Sequence, residues 1–480
     1  MENTTIAAIA SGLTTSGIGI IRISGDNALF VADKLMRVSD AKGAGSAESA
    51  GNAGSAGNAA KLSERATHTV NYGFVVDGDG QRIDEVLALI MKAPRSYTGE
   101  DVVEIQCHGG PYIMKRILDL AIEAGAKLAQ PGEFTKRAFL NGRIDLSQAE
   151  AVMDLIGSNS EYARKAAFSQ LRGSLKEKVS EIRSALLYDC AYLEAALDDP
   201  EHISLDGFDA RITATVDKAI SELDELIKKA DEGKIVREGI RTVILGQPNA
   251  GKSTLLNLLL GEERAIVTSI PGTTRDTLEE SVRLKGISLR LIDTAGLRET
   301  SDEVEKIGVD KAVAAAKQAD LIIYMIDGSK APDAADIEKI KAQEGAPVII
   351  LINKTDVENT NKCLHNKAFE EAGLGEKTLF FSAKTGEGRE ELEQLIYELF
   401  CSQALADANE LIIANSRQKE ALAAGRTALM HVKEAVEAGM PEDLYTVDLM
   451  DAYTALALIT GEAVSDDLAN EIFDKFCMGK

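Results

Sequence analysis

The residues with the most definite chemistry lie in Gly246-Gln-Pro-Asn249-Ala250-Gly251-Lys252-Ser253, which fills the pattern G-x-x-x-x-G-K-[S/T] at every required position. Glycines let a backbone wrap tightly enough for successive N–H groups and a helix N-terminus to face phosphate oxygens. Lys252 has the reach and charge for the terminal phosphates, and the Ser253 hydroxyl suits Mg2+. Asn249, Ala250, Gly251, Lys252, Ser253 and Thr254 are therefore read as a triphosphate cradle. A bare glycine turn would not require the Lys-Ser pair. The flanks supply the elements that position it: Arg241–Leu245 reads as a strand, and the apolar residues after Thr254 as a helix.

Three later segments bear on which nucleotide. Ile287–Ile292 is strand-like and ends in Asp293-Thr294-Ala295-Gly296, where an aspartate can hold Mg2+ through water and a glycine backbone can meet the γ-phosphate. Val348–Ile352 ends in Asn353-Lys354-Thr355-Asp356; a carboxylate at Asp356 accepts two hydrogen bonds from guanine, a donor pair that adenine lacks. Thr378–Phe381 leads into Ser382-Ala383-Lys384, a further base-contacting loop. In this order, each after an apolar strand, these segments make residues 239–400 resemble the Ras-like GTPase domains of the translation-factor class, with GTP and Mg2+ as the implied ligands.

Leu297 follows the glycine of that aspartate segment, where Ras-type enzymes carry the glutamine that orients the attacking water. Leucine cannot do this, so attention moves to Thr268-Ser269-Ile270-Pro271-Gly272-Thr273-Thr274-Arg275. Thr274 is the candidate second Mg2+ ligand, and Arg275 joins the candidate catalytic set. An Asn249 oxygen with loop carbonyls suits a large monovalent cation. Asn249 equally suits a plain tight turn.

Composition limits the wider reading. A chain of 480 residues suggests about three domains, and 45% hydrophobic residues can form sizeable cores. The net charge of −24 argues against a broad nucleic-acid-coating surface, while leaving a local patch or a basic partner open. Five scattered cysteines without a C-x-x-C pair fit a reducing compartment rather than a disulfide framework or zinc site. Met1-Glu-Asn-Thr-Thr opens without a basic region, and no apolar run reaches the roughly 18 residues of a membrane helix. A cytoplasmic protein without membrane contact is expected.

Along the chain, glycine spacing and alternating patterns indicate an α+β domain over residues 1–143, with strands near Thr67–Phe74 and Glu85–Met91 and a helix near Tyr112–Ala124. Residues 41–61 are almost wholly Ala, Gly, Ser and Asn and read as a flexible insertion. Helical spacing governs 144–238 and returns over 401–480. The economical architecture is thus multidomain: an N-terminal α+β domain, a discontinuous all-α domain, and a P-loop α/β domain inserted at 239–400.

The whole chain apart from 41–61 is similar to the bacterial and organellar tRNA-modification GTPases of the MnmE (TrmE) family. The resemblance rests on Gly-Ile-Gly-Ile-Ile-Arg22-Ile-Ser-Gly, Tyr-Thr-Gly-Glu-Asp-Val-Val-Glu104, Pro-Gly-Glu-Phe-Thr-Lys-Arg-Ala-Phe-Leu-Asn-Gly-Arg143, Asp-Thr-Ala-Gly-Leu-Arg-Glu and the terminal Phe-Cys477-Met-Gly-Lys480. It implies an N-terminal homodimerisation domain that binds a tetrahydrofolate derivative (5-formyl or 5,10-methylene) through Arg22, Glu104, Arg143 and Lys480. It further implies K+ held by Asn249, Thr268, Ile270 and Thr273, water positioned by Glu305, and a thiol, Cys477, near the folate pocket. The implied partners are tRNA and a flavoprotein, MnmG or GidA; the implied product is an aminomethyl or carboxymethylaminomethyl group at C5 of the wobble uridine. Some relatives carry lysine in place of Arg143, which keeps the charge and changes the hydrogen-bond geometry. The competing class is a ribosome-assembly GTPase switch. Such proteins usually append a basic RNA-binding module, and the acidic balance here counts against one.

Overall fold

The computed structural model describes residues 4–39, 61–158, 160–262, 280–292, 316–343, 345–357, 360, 362–400, 413, 415–463 and 472–473. The chain forms two compact units, one of residues 1–153 with 460–480 and the other of residues 154–459.

The first unit contains β1 (Ile6–Ile9), β2 (Ile18–Ser24), α1 (Ala28–Leu35), β3 (Met36–Val38), β4 (Thr69–Val76), β5 (Arg82–Met91), β6 (Val102–His108), α2 (Pro111–Glu123), β7 (Lys127–Leu128), α3 (Glu133–Leu140) and the start of α4 (Leu146–Gly157). Relative to the sequence reading, β4 lies two residues later and β5 begins three earlier. The sheet order is β3-β4-β5-β6-β2-β1-β7. Alternation along a strand sends successive side chains to opposite faces. Ile21, Ile23, Val103 and Ile105 are therefore buried with Val31 of α1 and Met114 and Ile117 of α2, while Arg22 and Glu104 emerge on the other face. They sit directly opposite each other in the antiparallel β2–β6 register.

The second unit holds α5 (Glu161–Leu171), α6 (Ser174–Asp198) and α7 (Phe208–Glu238), then β8 (Ile240–Gly246), α8 (Lys252–Glu262), β9 (Glu280–Leu284), β10 (Ile287–Leu291), β11 (Leu321–Asp327), α9 (Ala334–Lys341), β12 (Val348–Asn353), α10 (Lys362–Glu371), β13 (Thr378–Phe380), α11 (Arg389–Phe400), α12 (Ser416–Glu437) and nearly all of α13 (Asp443–Thr460). Leu186, Leu193, Ile212, Leu223, Leu422, Leu429, Leu449 and Leu456 form one core among α6, α7, α12 and α13. Each such leucine contributes roughly 1.5–3 kcal/mol by leaving water, so segments far apart in sequence make one helical layer.

The second sheet has the order β13-β12-β11-β8-β10-β9, parallel throughout except for β9. Every residue of β11 and β12 is buried, as expected when both faces of a parallel sheet are covered. Parallel strands also deliver their carboxyl ends to one edge, where open α/β sheets bind ligands.

Candidate functional site

At that edge β8 runs into the Gly246–Ser253 loop and α8 begins at Lys252. The loop lies hard against its neighbours. Gly246 has φ +136°, and a Cβ there would strike the Met325 carbonyl of β11; Gly251 has φ +103°, and a Cβ there would strike the Asn353 side chain. Neither position accommodates a larger residue. Asn249 is exposed with φ 62°, a left-handed conformation that asparagine adopts more readily than most residues. Lys252 donates from Nζ to the carbonyls of Gly246 at 2.7 Å and Gln247 at 2.9 Å. Burial pushes the Lys252 ammonium below its ordinary lysine value, because a desolvated cation is costly until an anion approaches. Ser253 and Thr254 are exposed in the first turn of α8, and Ala250 is buried.

The loops at the ends of β12 and β13 join this cradle through Asn353, which is 3% exposed. Asn353 Nδ2 donates to the Ala250 carbonyl at 2.7 Å, and its Oδ1 accepts from the Ala383 N–H at 2.9 Å. Ser382 donates from Oγ to Asp356 Oδ1 at 2.8 Å, so the carboxylate is braced from the neighbouring loop. Lys354, at φ 68°, reaches Asp327 Oδ2 at 2.7 Å. Asp327 also accepts from the Ser329 hydroxyl at 2.6 Å. Burial alone would raise the Asp327 carboxyl, but the Lys354 and Ser329 hydrogen bonds outweigh it and hold the pKa below the usual value. The structure thus brings together Asn249, Ala250, Gly251, Lys252, Ser253, Thr254, Asn353, Lys354, Asp356, Ser382, Ala383 and Lys384 at one edge. Thr268, Ser269, Ile270, Pro271, Gly272, Thr273, Thr274, Arg275, Asp293, Thr294, Ala295, Gly296, Leu297, Glu305, Cys477, Lys480 and all of the 41–61 insertion but Lys61 lie outside the described residues.

The first unit carries a separate cluster. Arg22 donates from both Nε and Nη2 to Glu104 Oε1 at 2.8 Å, with both side chains about one-sixth exposed. The Arg22 guanidinium lies 5.4 Å from the Tyr97 ring centre and 5.5 Å from that of Phe134, and Arg143 lies 5.3 Å from Tyr97. Two arginines on one ring gain cation–π attraction and keep their planes defined. The group is aromatic, cationic and acid-bearing, with Arg22 and Glu104 paired to each other.

Two family models together cover nearly the whole chain. Residues 5–143 match the model described as "GTP-binding protein TrmE N-terminus", and residues 146–477 match the "MnmE helical domain". Proteins named "tRNA modification GTPase MnmE" align along essentially the entire chain. That of Lachnoclostridium phytofermentans is 50% identical, covering 100% of both chains; that of Acetivibrio thermocellus is 44% identical over 99% of both; that of Symbiobacterium thermophilum is 44% identical over 100% of both. The chain belongs to the MnmE family of tRNA modification GTPases. Among solved structures, a point variant of Aquifex aeolicus Era bound to GDP.AlF4- is 26% identical over 40% of this chain and 67% of that one, with a TM-score of 0.28; that fit is too partial to bear on the fold.

Several residues at these sites of the family member escape sequence reasoning. Asp327 ends an apolar strand just as Asp293 follows one, and that position was the available signal. Tyr97 sits in the quoted Tyr-Thr-Gly-Glu motif, yet nothing in its spacing tells which arginines it will meet. No helix among the described residues is long and apolar enough to cross a membrane.

Proposed function

We propose that this GTP hydrolase of tRNA modification works as a K+-stimulated, Mg2+-dependent cycle coupled to one-carbon chemistry at the wobble uridine. The observation that supports the nucleotide part of the reading is Asn353, whose buried amide ties the Gly246–Ser253 loop to the loop after β13; the K+ and one-carbon parts rest on the family. Two of the three Lys252 donors are seated on loop carbonyls, so the ammonium is set for a terminal phosphate without reorganising. Asp356, braced by Ser382, takes the guanine N1–H and amine. Lys384 and Ala383 complete the base loop.

Ser253 and Thr274 would hold Mg2+, with Asp293 reached through water and Thr294, Ala295 and Gly296 beside the γ-phosphate. Asn249, Thr268, Ile270 and Thr273 would hold K+; the exposed, left-handed Asn249 fits this role as the described member of that set. Bound there, Mg2+ neutralises phosphate charge and K+ supplies positive charge where an arginine finger would act. Glu305 would position the attacking water in place of the glutamine that Leu297 replaces, Arg275 would join it in the catalytic set, and Ser269, Pro271 and Gly272 would contact GTP.

In the first unit Arg22, Glu104 and Arg143, with Lys480, would take the tetrahydrofolate derivative, which supplies the one-carbon unit, and the proposal adds the Cys477 thiol to that site. Residues 1–143 are assigned to folate binding and homodimerisation, 144–238 with 401–480 to the helical domain, and 239–400 to the GTPase domain. The partners are a flavoprotein of the MnmG (GidA) type and tRNA, in the cytoplasm. The test is mass spectrometry of wobble uridines from a strain lacking this protein, complemented with wild type or Lys252→Ala. Loss of the C5 aminomethyl or carboxymethylaminomethyl group, restored only by wild type, is expected. An unchanged modification profile would overturn the reading in favour of an assembly switch.

A further inference from the structure

The phosphate loop has a second anchor, on its Gln247 side. Gln247 donates from Nε2 to Asp336 Oδ2 at 2.7 Å, and the Tyr324 phenol donates to Asp336 Oδ1 at 3.0 Å. Asp336 is 2% exposed and Tyr324 is 4% exposed. A carboxylate so deeply buried is costly unless both oxygens find donors. The arrangement meets that need, and the place of Asp336 in the first turn of α9 adds the favourable end of a helix dipole. The backbone of the same glutamine does other work: its carbonyl accepts from Lys252 Nζ at 2.9 Å. The preceding residue is Gly246 at φ +136°, where the lack of a Cβ leaves the backbone permissive. A side-chain tether just after such a residue helps to fix where the carbonyl points, together with the Ala250 N–H that donates to it at 3.3 Å.

We propose that Asp336 is a positioning residue for GTP hydrolysis, acting through Gln247 to fix the carbonyl that seats the Lys252 ammonium. Tyr324 holds Asp336 from β11, so the chain Tyr324–Asp336–Gln247–Lys252 runs from the sheet interior to the phosphates. The proposal rests on the assignment of Lys252 to the terminal phosphates and deepens it. A misplaced ammonium lowers kcat, since displacement of a positioned group by about 1 Å can cost up to 100-fold.

The test uses the full-length protein and steady-state GTP hydrolysis. Gln247→Ala, whose side chain is only half-buried, is expected to lower kcat about tenfold, a barrier increase of about 1.4 kcal/mol. Asp336→Ala should do the same, and Asp336→Asn should recover most of the loss. The Asn amide still offers an oxygen to Gln247 and a donor to the phenol oxygen. In a Lys252→Ala background, Gln247→Ala should lower the residual kcat by less than about twofold, as required when two residues act through one contact. Wild-type hydrolysis by Gln247→Ala, or a full additional loss on top of Lys252→Ala, would overturn the Asp336 role alone. Wild-type hydrolysis by Lys252→Ala would overturn the Lys252 assignment and the proposal with it.

Discussion

Asn353 donates from Nδ2 to the carbonyl of Ala250 at 2.7 Å, across a sequence separation of 103 residues. Its other amide atom is used on Ala383, so one side chain serves two loops at once, adding to the core that Ala250 and Ala383 share. Removing it leaves a buried carbonyl and a buried N–H without these partners, a cost of about 1–3 kcal/mol per orphaned group. Asn353→Ala should therefore raise the dissociation constants of both GDP and GTP by about 10- to 100-fold. Titration with fluorescent nucleotides checks this, and affinity within twofold of wild type would show that the loops hold their places without the clip.

Gly251→Ala tests the same contact from the other side. Its φ of +103° disfavours any Cβ, and the added methyl would meet the Asn353 Nδ2. The left-handed penalty alone is about 1–2 kcal/mol. Nucleotide affinity should fall at least as far as in Asn353→Ala. The two substitutions should combine with much less than additive loss in a double-mutant cycle, because both break one hydrogen bond.

These contacts mark how far the sequence could be read. Gly246, Gly251, Lys252 and Asn353 stood out because the proposed phosphate and base binding would demand those types at fixed spacing, and apolar runs placed each after a strand. Arg22 and Glu104 were legible only through resemblance. Their pairing depends on the β2–β6 register, which alternation does not specify. Asp336 was not legible: an aspartate in a first helical turn usually serves the helix dipole. Only the packing of α9 beside β11 turns it toward Gln247 and Tyr324. The shared helical spacing of 144–238 and 401–480 pointed to one discontinuous helical domain, but not to which leucines of α6, α7, α12 and α13 meet in its core.

The Arg22–Glu104 pair makes a prediction for the first unit. If the folate derivative uses both residues, Glu104→Ala weakens binding and also frees Arg22 from its two donated hydrogen bonds. Calorimetry with 5-formyltetrahydrofolate should show a loss of about tenfold or more for Arg22→Ala and for Glu104→Ala, with strong non-additivity in the double variant. Equal affinity in Arg22→Ala and wild type would remove the cluster from the binding site.

Asp327 predicts a pH dependence. Its carboxyl pKa in the folded protein lies below the ordinary value, through Lys354 and Ser329 acting against burial. A depressed folded value contributes stability that is present above the unfolded pKa, about 3.9, and is lost as pH falls through the folded one. Wild type should therefore lose melting temperature more steeply than Asp327→Asn on acidification below about pH 4. Parallel melting curves against pH for the two proteins would show that the Lys354 contact is not retained in solution.

The cysteines give a chemical check on the packing of both units. Cys107 on β6 is 4% exposed, and burial, then the nearby Asp84 charge, push its thiol up to about 11. Cys190 is buried and likewise raised, chiefly by burial, whereas Cys363 near the start of α10 is exposed. The thiolate is the reactive form, so burial disfavours Cys107 and Cys190 twice, by shielding the sulfur and by raising its pKa, whereas Cys363 is open to reagent. Site-resolved mass spectrometry after brief iodoacetamide treatment should find Cys363 alkylated at least about tenfold faster than Cys107 or Cys190, because the two buried sulfurs are shielded and disfavoured as thiolates. Addition of denaturant should bring the three rates together. Comparable rates in the native protein would mean that the sheet of the first unit opens to reagent far more often than its buried Ile21–Ile105 core allows.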